Sequence, residues 1–196
     1  MTVALATVNT SRLSSSVALV ACAASFVMML AACGSASETA TAAGACPTSA
    51  PENGGTPEWT LPGTTGSVAV TGSTDTTAPL VKVDAPFSVT ETQVHTLQAG
   101  SGPVVADTAT VSVCYLGVDG RDGAVFDNSY EQGAPVEFPL DKVVPGFQKA
   151  IAGQKVGSTV AVAMTSADGY PNGQPSAGIE KGDTLVFAIK ILGVSS

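Results

Sequence analysis

Hydrophobic and polar residues alternate with the two-residue period of β-strands at four places in the C-terminal half of the chain. In residues 110–116, Val111, Val113 and Tyr115 share one face, and Ser112, Cys114 and Leu116 share the other. Val136, Phe138 and Leu140 line up within residues 135–140, and Val160, Val162 and Met164 within residues 158–164. Leu185, Phe187, Ile189 and Ile191 do so within residues 184–192, which Gly182 and Asp183 bound upstream. Each stretch reads as an antiparallel strand with one face buried. Between the second and third, Val144, Phe147 and Ile151 fall at i, i+3 and i+7, with Pro145 near the start and Gly153 as the stop. That is the pattern of one short amphipathic helix. The fold class expected is α+β, an antiparallel sheet of about five or six strands wrapped around one short helix, with a pocket between them. Residues 68–70 and 80–83 can add one or two edge strands, Pro79 and Pro86 arguing against a central position.

The N-terminal part has a different pattern. Residues 17–32 form a 16-residue run without a charge, preceded by Arg12. The run is too short to span a bilayer and reads as the apolar region of a signal peptide. It ends in Leu30-Ala31-Ala32-Cys33 followed by Gly34 and Ser35, which resembles the lipobox of bacterial lipoproteins. The resemblance implies removal of residues 1–32, diacylation of Cys33, and export with a lipid anchor on the outer face of the cell membrane. Two acyl chains hold a protein there without help from basic residues. Ordinary cleavage leaving a free Cys33 is the alternative. Residues 33–66 are rich in Ala, Ser, Thr, Gly and Pro with one aromatic, Trp59, and read as a flexible tether. The folded domain is then expected over residues 67–196.

Charge and chemistry narrow the function. Of 196 residues, 8 are Lys or Arg and 16 are Asp or Glu, and Arg12 is the only basic residue before Lys82. No cationic patch exists to neutralise phosphates, which excludes nucleic acid as a partner. His95 is the only histidine, so a Ser/His/Asp triad or a histidine-centred metal site has nothing to build on, and His95 is expected to be a polar strand or surface residue. No GxSxG, phosphate-binding glycine loop or CxxC occurs, and neither metal nor cofactor is expected. The acidic, glycine-rich residues 119–123 lack calcium ligands at alternate positions and read as a hairpin turn. Once Cys22 is removed and Cys33 acylated, Cys46 and Cys114 remain in an oxidising compartment, where they either pair or stay as separate thiols.

The order and spacing of aromatic and acidic residues is the most specific signal. Val113-Cys114-Tyr115-Leu116-Gly117, Val125-Phe126-Asp127-Asn128-Ser129 and Val136-Glu137-Phe138-Pro139 are followed by Val143-Val144-Pro145-Gly146-Phe147, Asp168-Gly169-Tyr170 and Thr184-Leu185-Val186-Phe187. Together these resemble the FKBP-type peptidyl-prolyl isomerases over roughly residues 100–192, and residues 88–105 look like the first strand and turn of secreted bacterial members. The resemblance implies an apolar cavity for a proline ring. It assigns catalytic positions to Tyr115, Phe126, Asp127, Phe147, Tyr170 and Phe187, and substrate contacts to Val136, Val143, Val144 and Ile179. Three positions depart from the family pattern: Val136 stands for a wall phenylalanine, Phe147 for the usual tryptophan floor, and Gly178 for an apolar loop residue. The function implied is rotation of X-Pro bonds in unfolded or exported proline-containing proteins by a monomer. Macrolides such as rapamycin are implied as ligands. The alternative is a non-catalytic FKBP-like binding module or chaperone on the cell surface.

Overall fold

The computed structural model of the chain describes residues 44–195, and among these the four strand patterns and the helix form where the sequence places them. Strands β1 (Trp59–Pro62), β2 (Thr65–Thr71) and β3 (Leu80–Ser88) make a three-stranded antiparallel sheet in that order. A six-stranded antiparallel sheet follows, built from β4 (Gln93–Gln98), β5 (Thr110–Asp119), β6 (Val125–Asn128), β7 (Val136–Pro139), β8 (Thr159–Met164) and β9 (Leu185–Ser195). Its order is β4-β8-β9-β5-β6, with β7 also on β5. The length of β5 permits this branching, because residues 110–113 pair with β7 and residues 116–118 with β6. The acidic turn at 119–123 is the hairpin expected, closed by the Gly123 N–H donating to the Asp119 carbonyl at 2.8 Å.

The helix α1 (Pro145–Ile151) crosses one face of the large sheet. Pro145 opens it without wasting an N–H, and the Gly146 N–H donates to the Asp168 carbonyl at 2.8 Å. A Cβ on Gly146 would stand 2.8 Å from Met164 Sδ, so glycine is what lets the helix lie this close to β8. Phe147, Ala150 and Ile151 meet Val160, Val162, Met164, Leu185, Ile189 and Ile191 in the main core.

The expectation of half-buried strands is corrected for β5, β8 and β9, which are buried on both faces for most of their length. The opposite faces of β8 and β9 carry small residues, Ala161, Ala163, Val186 and Ala188, and the three-stranded sheet packs Val68, Val70 and Phe87 onto them. Residues 68–70 are therefore not an added edge. They lie in β2, the central strand of a second sheet that makes its own layer.

The flexible tether expected over residues 33–66 is also corrected for its described part. Trp59 and Leu61 of β1 pack onto this second core, with Trp59 opposite Val70 in register. Trp59 stacks on His95 of β4 with ring centroids 5.6 Å apart, which puts His95 on an exposed strand position as expected. Further upstream, Cys46 is joined to Cys114 by a disulfide across 68 positions, and the Cys46 N–H donates to the Gly133 carbonyl at 3.3 Å. The disulfide sits in a third cluster with Leu116, Val118 and Tyr130, whose hydroxyl donates to Ser73 Oγ at 3.0 Å and is pushed up to about 12 by burial. Low overall hydrophobicity misled because a short hairpin needs only a few apolar side chains when a prepared alanine face and a covalent link receive it. The signal-peptide residues and the lipidation position Cys33 lie outside the described residues.

Candidate active site: an aromatic cavity between sheet and helix

A cavity of about 380 Å³ opens between α1 and the β5–β6 end of the large sheet. Strand β5 supplies Tyr115, β6 supplies Phe126 and Asp127, and β9 supplies Phe187. The helix and the turn before it supply Phe147, Val144, Val143 and Lys142, and Tyr170 comes from the loop after β8. Alternation brings these together: Tyr115 and Phe187 occupy the helix-facing side of adjacent strands, with Gly117 directly opposite Phe187. A Cβ on Gly117 would lie 2.7 Å from the Phe126 ring and 2.9 Å from the Phe187 ring, so only glycine lets both rings pack over the backbone there.

The rings form one interlocked set. Phe147 meets Tyr115, Phe138 and Phe187 edge-on at centroid distances of 5.9, 5.7 and 5.4 Å, and Phe126 meets Phe187 edge-on at 5.4 Å. Such contacts favour the edge-to-face arrangement by the ring quadrupoles and fix each ring's tilt. Phe147 is 5% exposed, as is Phe187.

One hydrogen bond crosses the apolar wall. The Tyr115 hydroxyl donates to Asp127 Oδ2 at 2.7 Å. Burial, followed by this bond to the carboxylate, raises the Tyr115 pKa far above its ordinary value, so the phenol stays neutral and remains a donor. The Val144 N–H has no acceptor among the described residues, although Val144 accepts from Phe147 and Gln148 as the helix begins. Behind Tyr170, Asp168 Oδ2 accepts from Lys149 Nζ at 2.7 Å and from Thr92 Oγ1 at 2.5 Å. These bonds, Lys149 first, hold the Asp168 carboxyl below the usual range, and they tie α1 to the start of the Tyr170 loop.

Eight of the ten positions inferred from the sequence line this cavity: Tyr115, Phe126, Asp127, Val143, Val144, Phe147, Tyr170 and Phe187. Two do not. Val136 packs against the main core from β7, and Ile179 is buried in that core, beside a separate hollow at residues 172–181. Phe138, two residues further along the same face of β7, lines the cavity where Val136 does not. Phe138 and Lys142 are the lining residues that sequence reasoning missed. The alternation over residues 135–140 already placed Phe138 beside Val136, so its aromatic ring was the available signal; nothing marked Lys142.

The family model for FKBP-type peptidyl-prolyl cis-trans isomerases matches residues 102–192, which contain the whole cavity and exclude β1 to β4. A probable FKBP-type peptidyl-prolyl cis-trans isomerase of Haemophilus influenzae is 36% identical over 97 residues, 50% of this chain and 40% of that protein. FkpA of Escherichia coli K12, an FKBP-type peptidyl-prolyl cis-trans isomerase, is 37% identical over 101 residues, 50% of this chain and 36% of its own length. The chain thus spans well under half of those two relatives. The FK506-binding protein of Streptomyces anulatus is smaller: 34% identity over 98 residues takes in 48% of this chain and 79% of that one. Among solved structures, the N-terminal domain of FKBP42 from Arabidopsis thaliana has the same fold, with a TM-score of 0.51, 17% identity, and coverage of 55% of this chain and 88% of that domain. With a family model over the cavity, a relative matched over most of its length and the aromatic set in place, the chain belongs to the FKBP-type peptidyl-prolyl cis-trans isomerase family.

Proposed function

We propose that the protein catalyses cis-trans rotation about X-Pro bonds in exported polypeptides. The observation that carries this is the cavity itself: a floor and walls of interlocked rings, crossed by a single Tyr115–Asp127 hydrogen bond. Rotation is opposed by amide resonance, a barrier of about 18 to 20 kcal/mol, and no covalent bond is broken. At the twisted transition state conjugation is lost and the carbonyl oxygen carries less negative charge than in the planar amide. An apolar surround therefore disfavours the planar ground state relative to the twisted state. Phe147 and Phe187 supply the surface for the proline ring, and the free Val144 N–H is available to a substrate carbonyl. Asp127 holds the Tyr115 ring in place and presents a carboxylate to the cavity, which Tyr170 also lines. Phe138 and Val143 add apolar wall, which favours a bulky hydrophobic residue before the proline. The same surfaces suit macrolides of the rapamycin type.

The test uses near-isosteric changes. Asp127→Asn and Tyr170→Phe are expected to leave unfolding free energy within about 1 to 2 kcal/mol of the unsubstituted protein, yet to lower kcat/KM for an X-Pro peptide by roughly tenfold each. Equal activity in both variants and the parent would remove these residues from the mechanism. A parent that gives no acceleration with any X-Pro peptide, yet suppresses aggregation of an unfolded client, would instead establish a binding module.

We also propose that the mature protein is exported and lipid-anchored through Cys33. The uncharged run ahead of Cys33 and the small residues beside it support this reading, as does the Cys46–Cys114 disulfide, which suits an oxidising compartment. Cys33→Ser should move the protein from the membrane fraction to the soluble fraction and abolish labelling by a radioactive fatty acid; a variant that stays on the membrane would refute the anchor.

A further inference from the structure

At the β5–β6 turn, one cation serves four carboxylates. Arg121 places Nη1 3.0 Å from Asp122 Oδ2 and 4.0 Å from Glu180 Oε1, Nε 3.3 Å from Asp183 Oδ2, and Nη2 3.7 Å from Asp119 Oδ2. Its Nη2 also donates to the Gly178 carbonyl at 3.1 Å. Arg121 thereby joins the turn that leads into Phe126 to the loop that runs from Tyr170 to β9. Two of the four acids are buried, Asp119 at 2% and Asp183 at 8% exposure. Asp183 Oδ2 accepts from the Glu180 N–H at 2.7 Å and Asp119 Oδ1 from the Arg121 N–H at 2.8 Å, but Asp119 Oδ2 is buried without any hydrogen-bond donor. A buried carboxylate oxygen without a hydrogen bond is costly even beside a guanidinium 3.7 Å away, and Asp119 does not line the cavity.

Two hydrogen bonds link the residue beside Asp183 to the backbone of Tyr170, which lines the cavity. Next to Asp183, the Gly182 N–H donates to Ser166 Oγ at 3.2 Å, and Ser166 Oγ donates to the Tyr170 carbonyl at 3.1 Å. The same loop inserts Ile179 into the core that holds Tyr115 and Phe187.

We propose that Arg121 is a positioning residue for substrate binding, clasping the 171–184 loop to the β5–β6 turn and so setting Tyr170. The loop and turn geometry carries this on its own; the effect on substrate rests on the isomerase reading above.

The charges define the sign. Burial, the largest influence, acts with the Asp183 carboxyl against the Arg121 N–H and guanidinium, and pushes Asp119 up to about 6 from 3.8. Arg121 stays charged, its pKa raised chiefly by the bond to Asp183. The charged groups that act on Asp119 are Arg121 on its own turn, 3.7 Å from Oδ2, and Asp183 on the loop, and Leu185 of β9 stands opposite it in register. Below about pH 6 the Asp119 hydroxyl can donate to Asp183, the orphan oxygen is satisfied and one charge is removed. Above it, two buried carboxylates repel and the clasp loosens. Because the folded-state value is the raised one, this site also weakens folding as pH climbs from the ordinary carboxylate value of 3.8 through about 6.

Two measurements on the full chain test the clasp. In the free protein, the NMR signals of the Tyr170 ring and the Ile179 methyl groups are expected to titrate together with a midpoint near that of Asp119, and Asp119→Asn should abolish the titration. With an X-Pro peptide, KM is expected to rise roughly fivefold from pH 5 to pH 7.5 with kcat little changed. Asp119→Asn should flatten that profile, Arg121→Ala should raise KM at both pH values, and Arg121→Lys should restore part of the loss. Tyr170 and Ile179 signals that ignore Asp119 would overturn the clasp, as would an unchanged KM profile in Asp119→Asn. A protein that shows the coupled titration but no isomerase activity upholds the clasp and overturns the isomerase reading alone.

Discussion

Replacing Phe147 with alanine is expected to lower the unfolding free energy by about 3 to 5 kcal/mol and to remove nearly all isomerase activity. The stability loss follows from burial: the ring is 5% exposed and packs edge-on against Tyr115, Phe138 and Phe187, so truncation both exposes apolar surface and leaves a void that the helix and sheet cannot close. The activity loss follows because Phe147 forms the floor on which the proline ring would rest. Urea denaturation and peptide isomerisation measured on one preparation separate the two effects. Phe147→Leu supplies the control, since it fills most of the space and should recover much of the stability while restoring little of the flat aromatic surface. A fully active Phe147→Ala protein would show that the proline ring binds elsewhere.

The second large effect concerns the link from Cys46 to Cys114. Opening it in a Cys46→Ala, Cys114→Ala double variant is expected to cost about 4 kcal/mol, the loop-closure entropy of a cross-link spanning 68 positions. Both half-cystines are buried against Leu116, Val118 and Tyr130, so the variant also loses packing in that cluster. Cys114 precedes Tyr115 on β5, and Ser129 Oγ lies 3.8 Å from Cys46 Sγ while accepting from the Tyr115 N–H at 2.9 Å. The aromatic cavity is nonetheless on the opposite face of the sheet, so kcat/KM at temperatures well below the melting point should change little. Thermal denaturation with and without the double substitution reads the first effect. Unchanged stability would mean that the segment around Cys46 contributes nothing to the folded domain.

Several features of the site were legible because they depend on local geometry. Alternation along β5, β8 and β9 fixes which side chains share a face, whatever lies above that face. Tyr115 could therefore be grouped with Val111 and Val113, Met164 with Val160 and Val162, and Phe187 with Leu185, Ile189 and Ile191. The same holds for Phe147, which follows from a proline-opened helix with a three- and four-residue period. The assignment failed on β7, where the strand and its apolar face were read correctly but the cavity contact was given to Val136. Which residue of one face reaches a cavity depends on where the strand ends relative to the helix, and here β7 brings Phe138 to the opening and leaves Val136 over the core.

The sequence by itself determined the α+β class, the strand faces, the position of α1 and most of the aromatic set, because periodicity and ordered motifs are written in residues near one another along the chain. Only the tertiary structure decided that residues 46–66 belong to the folded part, that β5, β8 and β9 are covered on both sides, and that Cys46 reaches Cys114. It also decided that Arg121 faces Asp183 across 62 positions. The alanines on the second faces of β8 and β9 carry no period-two hydrophobic signal of their own, and their small size matters because another sheet packs on them. A lone arginine in an acidic turn had no meaning until a distant loop was seen to fold back onto it. Local pattern constrains which way a side chain points, whereas its partners are chosen by how remote segments pack.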